Sequence, residues 1–282
     1  MISELIEGSW IDSEHADLVK ARIITSVFDD HRVDVYVPDE VTNETPVLVM
    51  HDGKNLFWPE YSTMGNTWGV ISVVQQLPVR PVVVGVWIKD EPDVPMIRLF
   101  ELTPQDVIEA DPSIWTNMLV AANAGEGIPI GNEYHRMIVQ EIVPAVAVEI
   151  GLEFDRKRTA LCGSSMGGLT SIYAAALYPE FYGTVLSLST HWAYWDRKII
   201  PDLLSLLSRD PRARIWIDRG TEELDAMYEG LHEEAADYLR DNGWQEGHEL
   251  QANVYPGTNH SEPVWQDRLP EILKWWLSEL QA

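Results

Sequence analysis

Thr159-Ala160-Leu161-Cys162-Gly163-Ser164-Ser165-Met166-Gly167-Gly168-Leu169 is the stretch on which the fold turns. An apolar run leads into a GxSxG pattern centred on Ser165, and a second apolar run, residues 169–177, leads straight out of it. A strand that turns directly into a helix at a serine holds the hydroxyl on a sharp, strained bend. The residues two before and two after that serine come too close together for side chains. Gly163 and Gly167 stand at those two places. A glycine-rich helix start would account for the glycines but not for the serine between them. Ser164 has no glycine two residues before or two residues after it, and Cys162 reads as a small buried hydrophobe.

Working outward, short Val/Ile-rich runs at 22–27, 32–37, 46–51, 82–88, 158–163, 184–189, 213–218 and 250–255 predict strands. The first two flank Asp29-Asp30-His31, a turn that predicts an antiparallel hairpin at one sheet edge. Helical stretches are expected at 68–77, 133–150, 166–177, 199–207, 224–241 and 265–280. In the fifth of these, Leu224, Tyr228, Leu231, Ala235 and Tyr238 recur at spacings of three and four, the pattern of one apolar helix face. Strands alternating with helices predict a single α/β domain over residues 1–282, with a mostly parallel central sheet covered on both faces. Ligands of such sheets bind beyond the carboxyl ends of the strands. The segment 89–131, rich in proline and acid, fits the alternation badly, and 105–131 reads as a lid or pocket insert.

Composition narrows the partners. The 282 residues carry 20 basic and 45 acidic side chains, a formal charge of −25, which repels phosphate backbones and anionic lipid heads. Nucleic acid and membrane surfaces are therefore not expected as partners. The apolar runs fall well short of the roughly 20 residues a membrane-crossing helix needs. Residues 1–7 lack a basic segment followed by an apolar run, so a cytoplasmic protein is expected. One cysteine excludes an internal disulfide and a cysteine-based zinc site, and with no HExxH-type spacing neither metal nor cofactor is expected.

A serine hydroxyl needs an adjacent base, and in this architecture the base follows the last strand, in the order Ser, acid, His. His260, in the polar loop after 250–255, is the histidine in that position. His248 precedes that strand, His232 lies in a helical run, and His51 and His191 end earlier strands. The acid should follow 213–218, where Glu222, Glu223 and Asp225 compete. Thr221 with these acids also reads as a helix start. Two backbone amides must hold an oxyanion, one from Met166 and one from the loop His51-Asp52-Gly53-Lys54-Asn55.

At this point the chain resembles the esterase branch of the α/β-hydrolase superfamily, which holds esterase D, feruloyl esterases, mycolyltransferases and enterobactin-type siderophore esterases. His51-Asp52-Gly53-Lys54-Asn55-Leu56-Phe57 is similar to that family's HDGQNLF segment, with Lys54 where glutamine is usual. Arg98 to Pro104 is similar to its R-x-x-E-x-T-P stretch, Glu141 and Pro144 to its E-x-x-P element, and residues 163–168 to its GxSMGG elbow. Ser189-Thr190-His191-Trp192 stands where the family has a serine-rich turn ending in tryptophan. Asn259-His260 and Trp265 resemble its terminal histidine and following tryptophan. The resemblance implies an α/β-hydrolase fold, oxyanion amides at Lys54 and Met166, and an acid three residues after Gly220, which is Glu223, with Asp225 the second choice. Thr258-Asn259 stand where glycine usually precedes the histidine, and 105–131 has no evident counterpart.

The expected activity is hydrolysis of a carboxylic ester through an acyl-enzyme on Ser165. Acyl transfer to an alcohol shares every residue, and a non-catalytic binding protein of the same fold is the alternative from another class. Trp58, Trp68, Trp87, Trp115, Trp192 and Trp195 could wall a pocket for a ring-bearing small-molecule ester, though most tryptophans simply build the core.

Overall fold

Runs such as Val47-Leu48-Val49-Met50 and Val82-Val83-Val84-Gly85-Val86 are apolar on both alternating faces, which suits strands covered on both sides. The computed structural model describes residues 2–9, 20–63, 65–89, 96–122, 126–193 and 199–280. Its strands are β1 (Ile2–Ser9), β2 (Lys20–Phe28), β3 (His31–Val37), β4 (Val47–Met50), β5 (Val82–Val86), β6 (Thr159–Ser164), β7 (Thr184–Leu188), β8 (Arg214–Gly220) and β9 (Leu250–Tyr255). Its helices are α1 (Val70–Gln75), α2 (Ile97–Glu101), α3 (Gln105–Ala110), α4 (Pro112–Ala122), α5 (Gly131–Met137), α6 (Val143–Ile150), α7 (Met166–Leu177), α8 (Ile199–Ser205), α9 (Leu231–Asp241) and α10 (Glu262–Ser278). The strand order is β1-β2-β3-β5-β4-β6-β7-β8-β9. Along this order the chain steps one way from β4 to β5 and the other way from β6 to β9.

The chain divides into two compact units. The first comprises Met1–Lys89, Met137–Ala160 and Ser261–Ala282. Here β2 and β3 form the expected hairpin, closed by Asp29 and Asp30, both at positive φ (45° and 64°), the backbone that a tight two-residue turn requires. The hairpin is not the sheet edge, because β1 pairs antiparallel outside β2. β3 pairs antiparallel with β5, and β5 parallel with β4. The expected helix over 133–150 is interrupted by a π-helical turn, Ile138–Ile142, directly before Pro144 at the start of α6. Proline cannot donate to the turn before it, and a π-turn absorbs that loss.

The second unit comprises Asp90–Arg136 and Leu161–His260. Its strands β7, β8 and β9 pair in parallel, and every residue of β7 is buried. The expected helix over 224–241 is broken. Glu223–Tyr228 is a 3₁₀ segment, Gly230 turns at φ 77°, and α9 begins at Leu231. The Glu233 carboxylate accepts the Gly230 amide at 2.6 Å and fixes that start. The insert 105–131 carries α3 and α4. Tyr173 of α7 ties it down, its hydroxyl accepting from the Asp106 amide at 3.0 Å and donating to Asn132 Oδ1 at 2.5 Å. Among the described residues no helix is long and apolar enough to cross a membrane.

Candidate active site

Ser165 sits between β6 and α7 at φ 57° and ψ −124°, a backbone that costs on the order of 1–3 kcal/mol and persists only where the surroundings enforce it. A Cβ on Gly163 would lie 2.5 Å from the Gly167 carbonyl carbon, so the chain can cross itself here only with glycine. The turn after β7 holds the bend from below. Leu188 C=O accepts the Ser165 amide at 2.9 Å, and Ser165 C=O accepts the His191 amide at 3.2 Å. Ser165 is half-buried whereas Ser164 is buried in the strand end. Cys162 is fully buried, and burial together with the Asp218 charge pushes its thiol far above the usual range, which makes it inert.

The turn after β8 supplies the carboxylate. Asp225 Oδ1 lies 2.6 Å from His260 Nδ1, while Oδ2 accepts from Ser189 Oγ at 2.7 Å and from the Gly220 amide at 2.6 Å. Burial by itself would push this carboxyl up. The hydrogen bonds from His260, Ser189 and Gly220 outweigh it and hold the group below the usual carboxylate range. An ionised Asp225 makes His260 Nδ1 the donor and leaves Nε2 to act as a base. The structure thus seats Asp225 on His260, not Glu223. Side chains three apart on a 3₁₀ helix eclipse, so Asp225 and Tyr228 share one inward face and both are buried. Glu223, like Glu222, points to solvent.

The loops after β8 and β9 are fastened together. Thr258 C=O accepts the amides of Thr221 and Glu222 at 3.0 and 3.1 Å, and Thr221 Oγ1 accepts the Gly257 amide at 2.8 Å. A Cβ on Gly220 would fall 2.1 Å from the Thr258 carbonyl oxygen, so glycine there lets the histidine loop settle on the acid loop.

Two residues unassigned by sequence reasoning complete the surroundings. His191 Nδ1 shares a 2.5 Å hydrogen bond with Tyr228 Oη, and the Tyr228 ring stands edge-on to the His260 ring at 5.9 Å between centroids. Burial, with lesser contributions from His260 and Arg98, lowers the His191 pKa to about 3, so this imidazole is neutral at physiological pH.

The remaining predicted residues fall as follows. Met166 is the first residue of α7 and Lys54 the second of a 3₁₀ turn, Gly53–Asn55, after β4. Amides in a helix's first turn have no partner within it. Gly53 is packed against Trp87 and Gly85, where a Cβ would lie 2.5 Å from Trp87 Cδ1. The indole N–H groups of Trp58 and Trp87 both donate to the buried Asp34 carboxylate, at 2.8 and 3.0 Å. Trp58, Trp68, Trp115 and Trp192 are core residues, Trp87 is partly exposed, and Trp195 lies outside the described residues.

Residues 113–276 match the family model described as "Putative esterase", and the chain belongs to that family. The family is one of esterases, and the fold is that of the α/β-hydrolases. The iron(III) enterobactin esterase of Escherichia coli K12 is 25% identical over 157 residues, covering 56% of this chain and 30% of that protein. The enterochelin esterase structure from Shigella flexneri superposes with a TM-score of 0.65 at 20% identity over 94% of this chain and 60% of that one. A ferulic acid esterase structure does so with a TM-score of 0.60 at 16% identity, over 92% and 99%. The chain therefore spans 30% of one and 60% of the other of these two enterobactin-type proteins, less than two thirds of either.

Proposed function

We propose that the protein hydrolyses carboxylic esters through an acyl-enzyme on Ser165. Ser165 Oγ attacks the ester carbonyl while His260 Nε2 takes its proton, and Asp225 holds Nδ1–H and the ring orientation. The carbonyl oxygen becomes an oxyanion held by the Met166 amide at the start of α7. Each such donor is worth on the order of 10² to 10³ in rate. Collapse expels the alcohol, which receives the proton from His260. Water, deprotonated by the same imidazole, then releases the acid and regenerates the serine. The strained Ser165 bend at the end of β6 carries this reading, because so costly a backbone, enforced by the Gly163–Gly167 crossing, leaves the serine half-exposed at the strand-to-helix turn.

The names of the relatives support a ring-bearing or catecholate ester as the substrate class. A panel of p-nitrophenyl esters, feruloyl esters and catecholate trilactones tests this, with turnover of the simple esters alone counting against it. A fluorophosphonate probe tests the chemistry. Labelling should occur at Ser165, with a burst of p-nitrophenol from p-nitrophenyl acetate; labelling at Ser164, or no burst and no turnover, would overturn the mechanism.

A further inference from the structure

Ser189, the first residue after β7, has its backbone at φ 43°, in the left-handed region where glycine is the least costly choice. Its amide donates to Asp218 Oδ1 at 2.9 Å, and its hydroxyl donates to Asp225 Oδ2 at 2.7 Å. Asp218 is wholly buried and is itself fixed by the Trp216 indole N–H at 2.9 Å. One serine thus bridges two buried carboxylates. The first pins its backbone, and the second receives its hydroxyl on the oxygen that does not face His260. A serine kept where glycine would relieve the backbone implies that the hydroxyl is used. We infer that Ser189 is a positioning residue. It fixes the rotation of the Asp225 carboxylate so that Oδ1 meets His260 Nδ1, and it acts on the reaction only through Asp225. The inference rests on the proposed Ser165-His260-Asp225 mechanism and deepens it.

The test is steady-state hydrolysis of p-nitrophenyl acetate by the full chain carrying Ser189→Ala, Ser189→Gly, Ser189→Cys, Asp225→Asn, or Ser189→Ala with Asp225→Asn. Ser189→Ala should lower kcat about tenfold to a hundredfold, the scale of one hydrogen bond to a charged group, with KM little changed. Ser189→Gly should be as slow, because it relaxes the backbone without restoring the donor, and Ser189→Cys should fall between. In the Asp225→Asn background Ser189→Ala should cost less than twofold. The downfield proton resonance of the His260 Nδ1–H should shift or broaden in Ser189→Ala. Wild-type kcat in Ser189→Gly would overturn the inference by showing that backbone geometry alone mattered. So would an undiminished Ser189→Ala effect in the Asp225→Asn background, or a wild-type rate in Ser189→Ala. A wild-type rate in Asp225→Asn would instead sink the acid assignment, and the inference with it.

Discussion

The turns after β6 and β8 each deliver one side chain to the site, and they do so by opposite means. At Ser165 the backbone does the positioning. The residue is pinned at φ 57° by the Gly163–Gly167 crossing and by Leu188 and His191, and its side chain needs no partner to be presented. At Asp225 the side chain is positioned instead, by donors from Ser189 and Gly220, on a 3₁₀ turn that any of several sequences could form. A steric crossing tolerates no substitution at its glycines, whereas a hydrogen-bonded carboxylate can be weakened by degrees.

The largest effect expected is at the backbone-positioned end. Ser165→Ala should lower kcat by about 10⁴ to 10⁶ with the melting temperature preserved, measured on p-nitrophenyl acetate and by thermal melt. Residual turnover of more than a few per cent would move the nucleophile elsewhere. Asp225→Asn should come next, at about 10⁴ in kcat, because the amide leaves His260 in the wrong tautomer. If Asp225→Asn is nearly as active as wild type, the site works as a Ser-His pair and the contrast between the turns dissolves.

Gly220→Ala sharpens the same comparison from the steric side. Its added methyl would sit 2.1 Å from the Thr258 oxygen, which must separate the histidine loop from the acid loop. A kcat loss of about tenfold or more and a lower melting temperature are expected; a wild-type rate would mean the loops can part without consequence. The pH response should be smaller. His191 and His232 are held neutral chiefly by burial, their values lowered from 6.5 to about 3 and about 4. Between pH 6.5 and those values each binds a proton only when unfolded, so stability falls as pH drops through that window, by at most ~1.4 kcal/mol per pH unit for each histidine. Asp225 acts with the same sign at lower pH, its depressed value giving stability that is lost as the pH falls through it. Urea titrations from pH 7 to 4.5 check this, and His232→Asn should flatten the curve. The smallest effect belongs to Glu223→Gln, expected within twofold of wild type since that side chain lies in solvent.

That last residue marks where sequence reading stopped. Eight strands announced themselves through Val/Ile runs, while β1, with Glu4 and Glu7 among its residues, did not. The bend at Ser165 was legible because sterics dictate glycine at fixed distances, and His260 stood out as the candidate base because chain order left one histidine in place. The Asp225–His260 contact was not legible, because three carboxylates share one loop and which of them faces inward depends on whether the turn is α or 3₁₀. With α periodicity Leu224 and Tyr228 share a face; with 3₁₀ periodicity Asp225 and Tyr228 do. A buried tyrosine three residues on was the available signal, and family spacing pointed to Glu223 instead. Ser189 was legible only as part of a serine-rich turn, and its partner was not, since a hydroxyl that serves a carboxylate 36 positions away leaves no local pattern.

Because one carbonyl, that of Thr258, holds the amide hydrogens of both Thr221 and Glu222, those two hydrogens are sheltered from solvent only while the histidine loop is docked. Their exchange with deuterium is therefore a clock for assembly of the site, readable without substrate and without turnover. In Ser165→Ala the clock should run at the wild-type rate, because the bend lies elsewhere. In Gly220→Ala it should run fast. A protein can thus be sorted as built but disarmed, or armed but unbuilt, by two protons that take no part in the reaction.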